Sequence, residues 1–386
     1  MSWSVHLIET LTGQVVARIG PTAATWSDGP LNGIPECKAT VPKYGLPRRR
    51  VDGGDLPDVL REYWERSIFP WSNGLLVCYD GQPLTAGPIT APPAEKLLTV
   101  DLSAQGIEAL LNQWIVLDKN YPDGEALAKG GNVKLSAGNL SRLAWLYVQQ
   151  SIQRNGYLPI VDGMPDADGT ANYRDMEPWN LQNNGLWKRL TEMTEVINGP
   201  DIAFRPEWMP GEEGSRIRWR MVAGSTVSPY IGQERMPRID MTAPHSTITS
   251  VGPKVAWTPS TRVYGYGSGE GAGQIIAIAT AEDSIRYRLP VLESVMADGG
   301  VDNAELVQQH TDADVAAKAK PTVQVPISLA CDDPSAGVSR WWTGDACMLV
   351  PDTRWWSIPK ATKPWRCINR SGTVGASTYT VELQED

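Results

Sequence analysis

The chain has 386 residues and a mass of 42.2 kDa, too much for one ordinary hydrophobic core, and implies roughly two to four domains. Its 35 Lys and Arg against 44 Asp and Glu leave a formal charge of −9, the wrong sign for a protein that grips nucleic acid through a basic stripe. Five widely spaced cysteines (Cys37, Cys78, Cys331, Cys347 and Cys367) form no C-x-x-C pair, which argues against a zinc ribbon or a disulfide scaffold and for reduced, buried thiols.

The start, Met1-Ser-Trp-Ser-Val-His, lacks the basic region and apolar run of a secretory leader. Val5 and Leu7 alternate with polar neighbours, and Thr12-Gly13 turns the chain into Gln14-Val-Val-Ala-Arg-Ile, a hairpin signal. Pro and Gly then recur too often for a long helix. The one basic run, Arg48-Arg49-Arg50, is followed by Asp52 and Asp55 and reads as a solvated loop end. A short helix is expected around Leu56 to Trp64, then a buried strand from Leu75 to Tyr79 closed into another hairpin by Asp80-Gly81.

The middle changes character. From Ser136 to Asn155, apolar residues at Leu140, Leu143, Ala144, Tyr147, Val148 and Ile152 make one face of a helix, stopped by Asn155-Gly156. A second helix is expected from Leu186 to Ile197, ended by Asn198-Gly199-Pro200. Strands return after Pro200. In Arg216-Ile-Arg-Trp-Arg-Met, Ile217, Trp219 and Met221 face one way and Arg216, Arg218 and Arg220 the other, the pattern of a half-buried hairpin. The glycine tract Tyr264 to Gly273 matches G-x-G-x-x-A at Gly267, Gly269 and Ala272. A strand-like run, Gln274 to Thr280, follows it where a dinucleotide site needs a helix, so the tract reads as a hairpin tip. That run, the longest nearly apolar stretch, is far too short to span a bilayer. Asp302 and Glu305 are a plausible capping pair for a helix through Lys320, and short strands fill Val323 to Leu383.

Few residues suggest chemistry. His6, His245 and His310 lack the spacing of a metal site, and neither a nucleophile elbow nor a phosphate-binding loop is present. Asp162, Asp166, Asp168 and Asp175 share a turn-rich loop and are candidate calcium ligands, although the EF-hand spacing is missing. No cofactor is implied. Tryptophan is over-represented, 16 against 2 Phe, and Trp341, Trp342, Trp355, Trp356 and Trp365 crowd the C-terminal segment. They fit a core or subunit interface, or a platform for sugar rings. Trp341, Trp342, Trp355, Trp356, Arg216, Arg218 and Arg220 are the interface candidates.

Three stretches carry a resemblance: Leu186-Trp-Lys-Arg-Leu with Val196-Ile-Asn-Gly-Pro-Asp-Ile-Ala-Phe-Arg-Pro, then Arg216-Ile-Arg-Trp-Arg-Met, and late in the chain Thr343-Gly-Asp-Ala-Cys-Met-Leu-Val with Trp365-Arg-Cys-Ile-Asn-Arg. Their order resembles minor tail proteins of actinobacterial siphophages, which are similar to the baseplate hub proteins of long-tailed phages. The resemblance implies a mainly β fold with a smaller α/β insert: two tube-like antiparallel barrel or sandwich domains plus the mixed insert. The expected divisions are an N-terminal tube-like β domain (1–102), a mixed helical insert (103–200), a β-rich region ending in a helix (201–320) and a C-terminal β domain (321–386). It also implies a non-enzymatic homotrimer at the tail tip of the virion, assembled in the host cytoplasm. The implied partners are a distal tail protein or the tail tube above, other minor tail proteins and the tape measure protein. DNA would pass through its lumen without specific binding. The competing readings are a Trp-rich glycan-binding adhesion protein and, on two unrecognised carboxylates, a glycosidase.

Overall fold

A computed structural model describes residues 2–49, 57–117, 123–166, 172–196, 198–233, 235–243, 247–286, 289–297 and 301–385. Strand outweighs helix, 39% to 19%, which makes the fold mainly β as expected. Among the described residues no sheet closes on itself, so the fold is built of packed open sheets and not closed barrels.

The first sheet has four antiparallel strands in the spatial order Val15–Ile19, Trp3–Glu9, Asn73–Tyr79, Gln82–Pro88. Its turns are where the sequence placed them. Asp80 and Gly81 both have positive φ, 47° and 76°, as a two-residue hairpin turn of matching twist requires. Asn73–Tyr79 is buried at all seven positions because the sheet divides two cores. Leu75, Val77 and Tyr79 pack toward the large sheet, while Leu76 and Cys78 pack toward the helices of the insert.

The large sheet has eleven strands and joins distant parts of the chain. Ala23–Ser27, Glu36–Pro42 and Thr99–Gln105 come from the N-terminal part; Thr322–Ala330, Lys363–Thr373 and Thr378–Glu385 come from the C-terminal part. The two parts meet antiparallel at Ser371 opposite Ser27 and Thr373 opposite Thr25. Burial alternates strictly along Thr322–Ala330, with Val323, Val325, Ile327 and Leu329 inward, the period of a half-buried strand.

In the insert, Leu140–Asn155 is a helix capped by Asn139, whose side chain accepts the N–H of Arg142 at 2.8 Å. Ser136, expected within that helix, belongs instead to the strand Val133–Ala137, because the cap is Asn139 and not an upstream serine. Leu186–Thr194 is the second helix, with Leu186, Leu190 and Met193 buried; Ile197 lies outside the described residues. The strands Ile202–Trp208 and Ile217–Ala223 form the expected hairpin. Asp58–Glu65 is the short N-terminal helix; Leu56, Arg50, Asp52 and Asp55 lie outside the described residues.

A small sheet stands apart with its own core. Arg262–Tyr266 pairs antiparallel with Ile276–Thr280, across the glycine hairpin, and parallel with Glu293–Ala297. The helix Ala304–Ala319 covers one face. Asn303 caps that helix, accepting the N–H groups of Glu305 and Leu306, where the sequence suggested Asp302 paired with Glu305. An Asn side chain reaches both amides alone, so the reciprocal pair is not needed.

Candidate functional site: a charged junction and a projecting loop

Three stretches meet behind the large sheet: the loop from Asp28, the strand Ile202–Trp208 and the loop Trp341 to Asp345. Arg370 ties the first to the last. Its side chain is wholly buried. Its Nε donates to Asp28 Oδ2 at 2.8 Å and its Nη1 to the carbonyls of Val338, at 2.7 Å, and Trp341. Asp28 Oδ1 accepts the hydroxyl of Thr343 at 2.6 Å. A second pair joins Arg205 to Asp345 at 2.8 Å, and a third joins Arg366 to Asp201. The ring of Trp342 lies 5.2 Å from the Arg370 guanidinium and 5.8 Å from that of Arg205, so one aromatic serves two cations. Asn32 closes the set, donating to Asp201 at 3.0 Å and accepting the N–H of Ile202 at 2.9 Å.

A crevice in this junction is lined by Asp28, Asn32, Thr85, Glu108, Arg205 and Trp342 among others, with a free volume of about 30 Å³. That is room for one or two waters, not a sugar ring. Glu108, 2% exposed, is pushed up to about 8 by burial, against two backbone hydrogen bonds that favour its charged form. It is therefore a neutral acid at pH 7. Asp28 is committed to Arg370 and Thr343, so the two carboxyl groups do not make a hydrolytic pair with space for substrate.

The other sequence-predicted residues are scattered. Asp162 and Asp166 both face Arg142, at 2.7 and 3.7 Å, and Asp175 sits on the strand Asn172–Met176 near Lys134. Asp168 and His245 lie outside the described residues. Among the described residues no group of three His, Cys, Asp or Glu could hold a metal ion. Arg218 and Arg220 share Glu207 across the hairpin, at 2.6 and 2.9 Å, and Arg216 approaches Glu212 at 3.6 Å. Those arginines do lie together on one face, with Ile217, Trp219 and Met221 fully buried on the other.

The tryptophans divide. Trp341, expected as an interface candidate, is 1% exposed and belongs to the core, where its Nε1 donates to the Tyr379 hydroxyl at 2.8 Å. Trp365 is likewise core, and Trp342 belongs to the junction. Of the five C-terminal tryptophans, Trp355 and Trp356 are the most exposed, at 36% and 96%, on the loop between the strands Ala346–Val350 and Lys363–Thr373. The loop is fixed at both feet: Asp352 accepts the backbone N–H of Arg354 at 3.0 Å, and Ile358 is buried in the large core.

Sequence reasoning missed the junction for a physical reason. Along Lys363–Thr373 the inward residues Trp365 and Cys367 predict odd positions inside, but a bulge between Cys367 and Asn369 shifts the register. The parity changes, and Arg370 turns inward.

No protein-family model matches the sequence, and no curated protein does. Solved structures do match along the whole chain. A tail protein from Neisseria meningitidis MC58 superposes with a TM-score of 0.57 at 12% identity, over 100% of this chain and 97% of that one. The 43 kDa tail protein of prophage MuSo2 from Shewanella oneidensis gives 0.55 at 9% identity, over 99% and 98%. Prophage tail protein gp18 from Listeria monocytogenes gives 0.50 at 11%, over 99% and 94%. The chain has the fold of these tail proteins, end to end.

Proposed function

We propose that the chain is a structural, non-enzymatic component of a phage tail tip: a hub that caps and continues the tail tube and organises the other tip proteins. The observation that carries this reading is the shared fold over nearly the full length of three tail proteins at only 9–12% identity. The ion pairs of the junction support it physically. They bind N-terminal strands, insert and C-terminal strands into one body, which a load-bearing ring needs more than a catalyst does.

In this reading the large sheet, built from strands of the N-terminal part, of residues 238–256 and of the C-terminal part, carries the tube-like parts, and three copies form the ring. A distal tail protein or the tail tube lies above it, with other minor tail proteins and the tape measure protein as neighbours. DNA passes through the lumen, and the net charge of −9 opposes its retention. The place is the tail tip of the virion, after assembly in the host cytoplasm; a siphophage of actinobacteria is the source the sequence resembles.

Solution mass tests it. Three chains of 42.2 kDa give about 127 kDa by light scattering. A mass of one chain at every concentration up to tens of micromolar removes the hub. The exposed Trp355 and Trp356 keep the glycan-binding reading as the second choice. Quenching of their fluorescence by host cell-wall glycans, with a monomeric mass, favours it instead.

A further inference from the structure

We infer that the Trp355–Trp356 loop of one copy docks on the open face of the small sheet of the next copy, head to tail. The inference rests on the trimeric hub reading and supplies its contact.

Both patches are unsatisfied in a single chain. Among the described residues the small sheet has a helix on one face only. Its other face carries Ile276, Ile278 and Val295 at 64%, 54% and 66% exposure, beside the half-buried Tyr264 and Tyr266. Register puts Tyr264 between Ile278 and Val295, so these side chains form one continuous apolar surface. A contiguous patch of this kind marks an interaction site. The loop is its opposite in shape: Trp356 is almost fully exposed, between feet held by Asp352 and the buried Ile358.

Charge is complementary. The loop carries the exposed Lys360 and Arg354, the latter 88% exposed and paired with Asp352 at the loop's foot, which leaves a net positive charge among these three side chains. The Thr280 end of the sheet face carries the exposed Glu282, Asp283 and Glu293 against Arg262. Among the described side chains, that rim is net acidic.

Position decides in favour of a second copy. Leu349 pairs with Lys363, Trp365 with Glu385, Gln384 with Gln324, and Thr322 with Ala256. The Trp loop leaves just beyond Leu349 and the small sheet just beyond Ala256. Both therefore emerge at the same end of the large sheet, the small sheet from its edge strand and the Trp loop toward the other side, where among the described residues the three-residue strand Arg238–Asp240 lies further out. A knob toward one side and its receptor at the same height on the other give a head-to-tail contact, which closes into a ring where the rotation between copies allows. The open face spans about 17 Å by about 14 Å, from the spacing of three five-residue strands. That is well below the roughly 800 Å² per partner of a stable interface, so the loop anchors a wider contact.

Cross-linking tests the contact on the whole chain, since all five native thiols are buried. A chain carrying Trp356→Cys and Ile278→Cys, oxidised and run without reductant, should give covalent dimers and trimers and stop at three. Each single variant should stay monomeric on the gel. Separately, Trp356→Ala should raise the concentration at which the trimer dissociates at least about tenfold, as loss of an anchoring tryptophan does. A trimer by mass that neither cross-links nor weakens keeps the hub and overturns this contact. A covalent ladder running past three overturns the closed ring, and a monomeric mass with no cross-link removes both.

Discussion

Trp219 and Arg218 are neighbours in sequence and opposites in environment. Trp219 is fully buried between the hairpin and the first sheet, its Nε1 donating to the Ala86 carbonyl at 3.1 Å. Trp219→Ala should cost about 3–5 kcal/mol, the cost of removing a large core aromatic. Arg218 is part-exposed and shares Glu207 with Arg220, so Arg218→Ala should cost under about 1 kcal/mol. Chemical denaturation of the two variants separates the cases, and equal loss would refute the strand's register. Glu108 makes a different prediction. Its folded-state value is about 8 against an ordinary 4.5. Between those values the folded chain keeps a proton that the unfolded chain has released. Its contribution is therefore fully present below about pH 4.5 and is lost as pH rises to about 8. Glu108→Gln should remove this slope and stabilise the chain by about 3 kcal/mol at pH 7. Melting at pH 5 and pH 8 checks it: a variant with the wild-type slope would show that Glu108 does not carry the titration.

Among the elements, the first hairpin shows why turn chemistry is the most readable part of the sequence. Gly13 has φ +72°, and a Cβ there would stand 2.0 Å from the carbonyl oxygen of Ile217. The turn thus seats on the strand Ile217–Ala223, whose Ile217 N–H donates to the Gly13 carbonyl at 2.8 Å. Gly13→Ala should destabilise by at least about 1 kcal/mol, with the loss read as a lower denaturation midpoint. Local rules located this turn, Asp80-Gly81, the insert helices Leu140–Asn155 and Leu186–Thr194 and the Trp219 face, because each depends on residues close in sequence; they left out the short helices Ile107–Leu111 and Gly124–Lys129. They misplaced one helix start and one cap by a few residues. They were silent on the junction, since nothing local marks Asp28 and Arg370 as partners 342 residues apart. The bulge before Arg370 also hides its inward turn from any reading at strict period two.

At the scale of the whole molecule, three buried or half-buried ion pairs tie the segments together. Removing one partner leaves the other charge stranded, so Arg205→Ala, which orphans the 5%-exposed Asp345, should cost about 3–5 kcal/mol. A loss below about 1 kcal/mol in urea would mean that the junction bears no load. The five cysteines should be silent in the native protein, as burial pushes Cys37 and Cys78 up to about 12 and Cys331 up to about 11. A thiol reagent should count none at pH 8 and five after denaturation; a fast-reacting native thiol would contradict the packing. The joining of the two chain ends has a temporal consequence. Strand Ala23–Ser27 can meet its partner in Lys363–Thr373 only after Ser371, 371 − 27 = 344 residues beyond Ser27, has been made. At about 5–20 residues per second that is roughly 20 to 70 s with an open strand edge during synthesis. Lys38 and Glu36 stand opposite Thr25 and Ser27 on the neighbouring strand, and charges of this kind disfavour pairing of an open edge with a wrong strand.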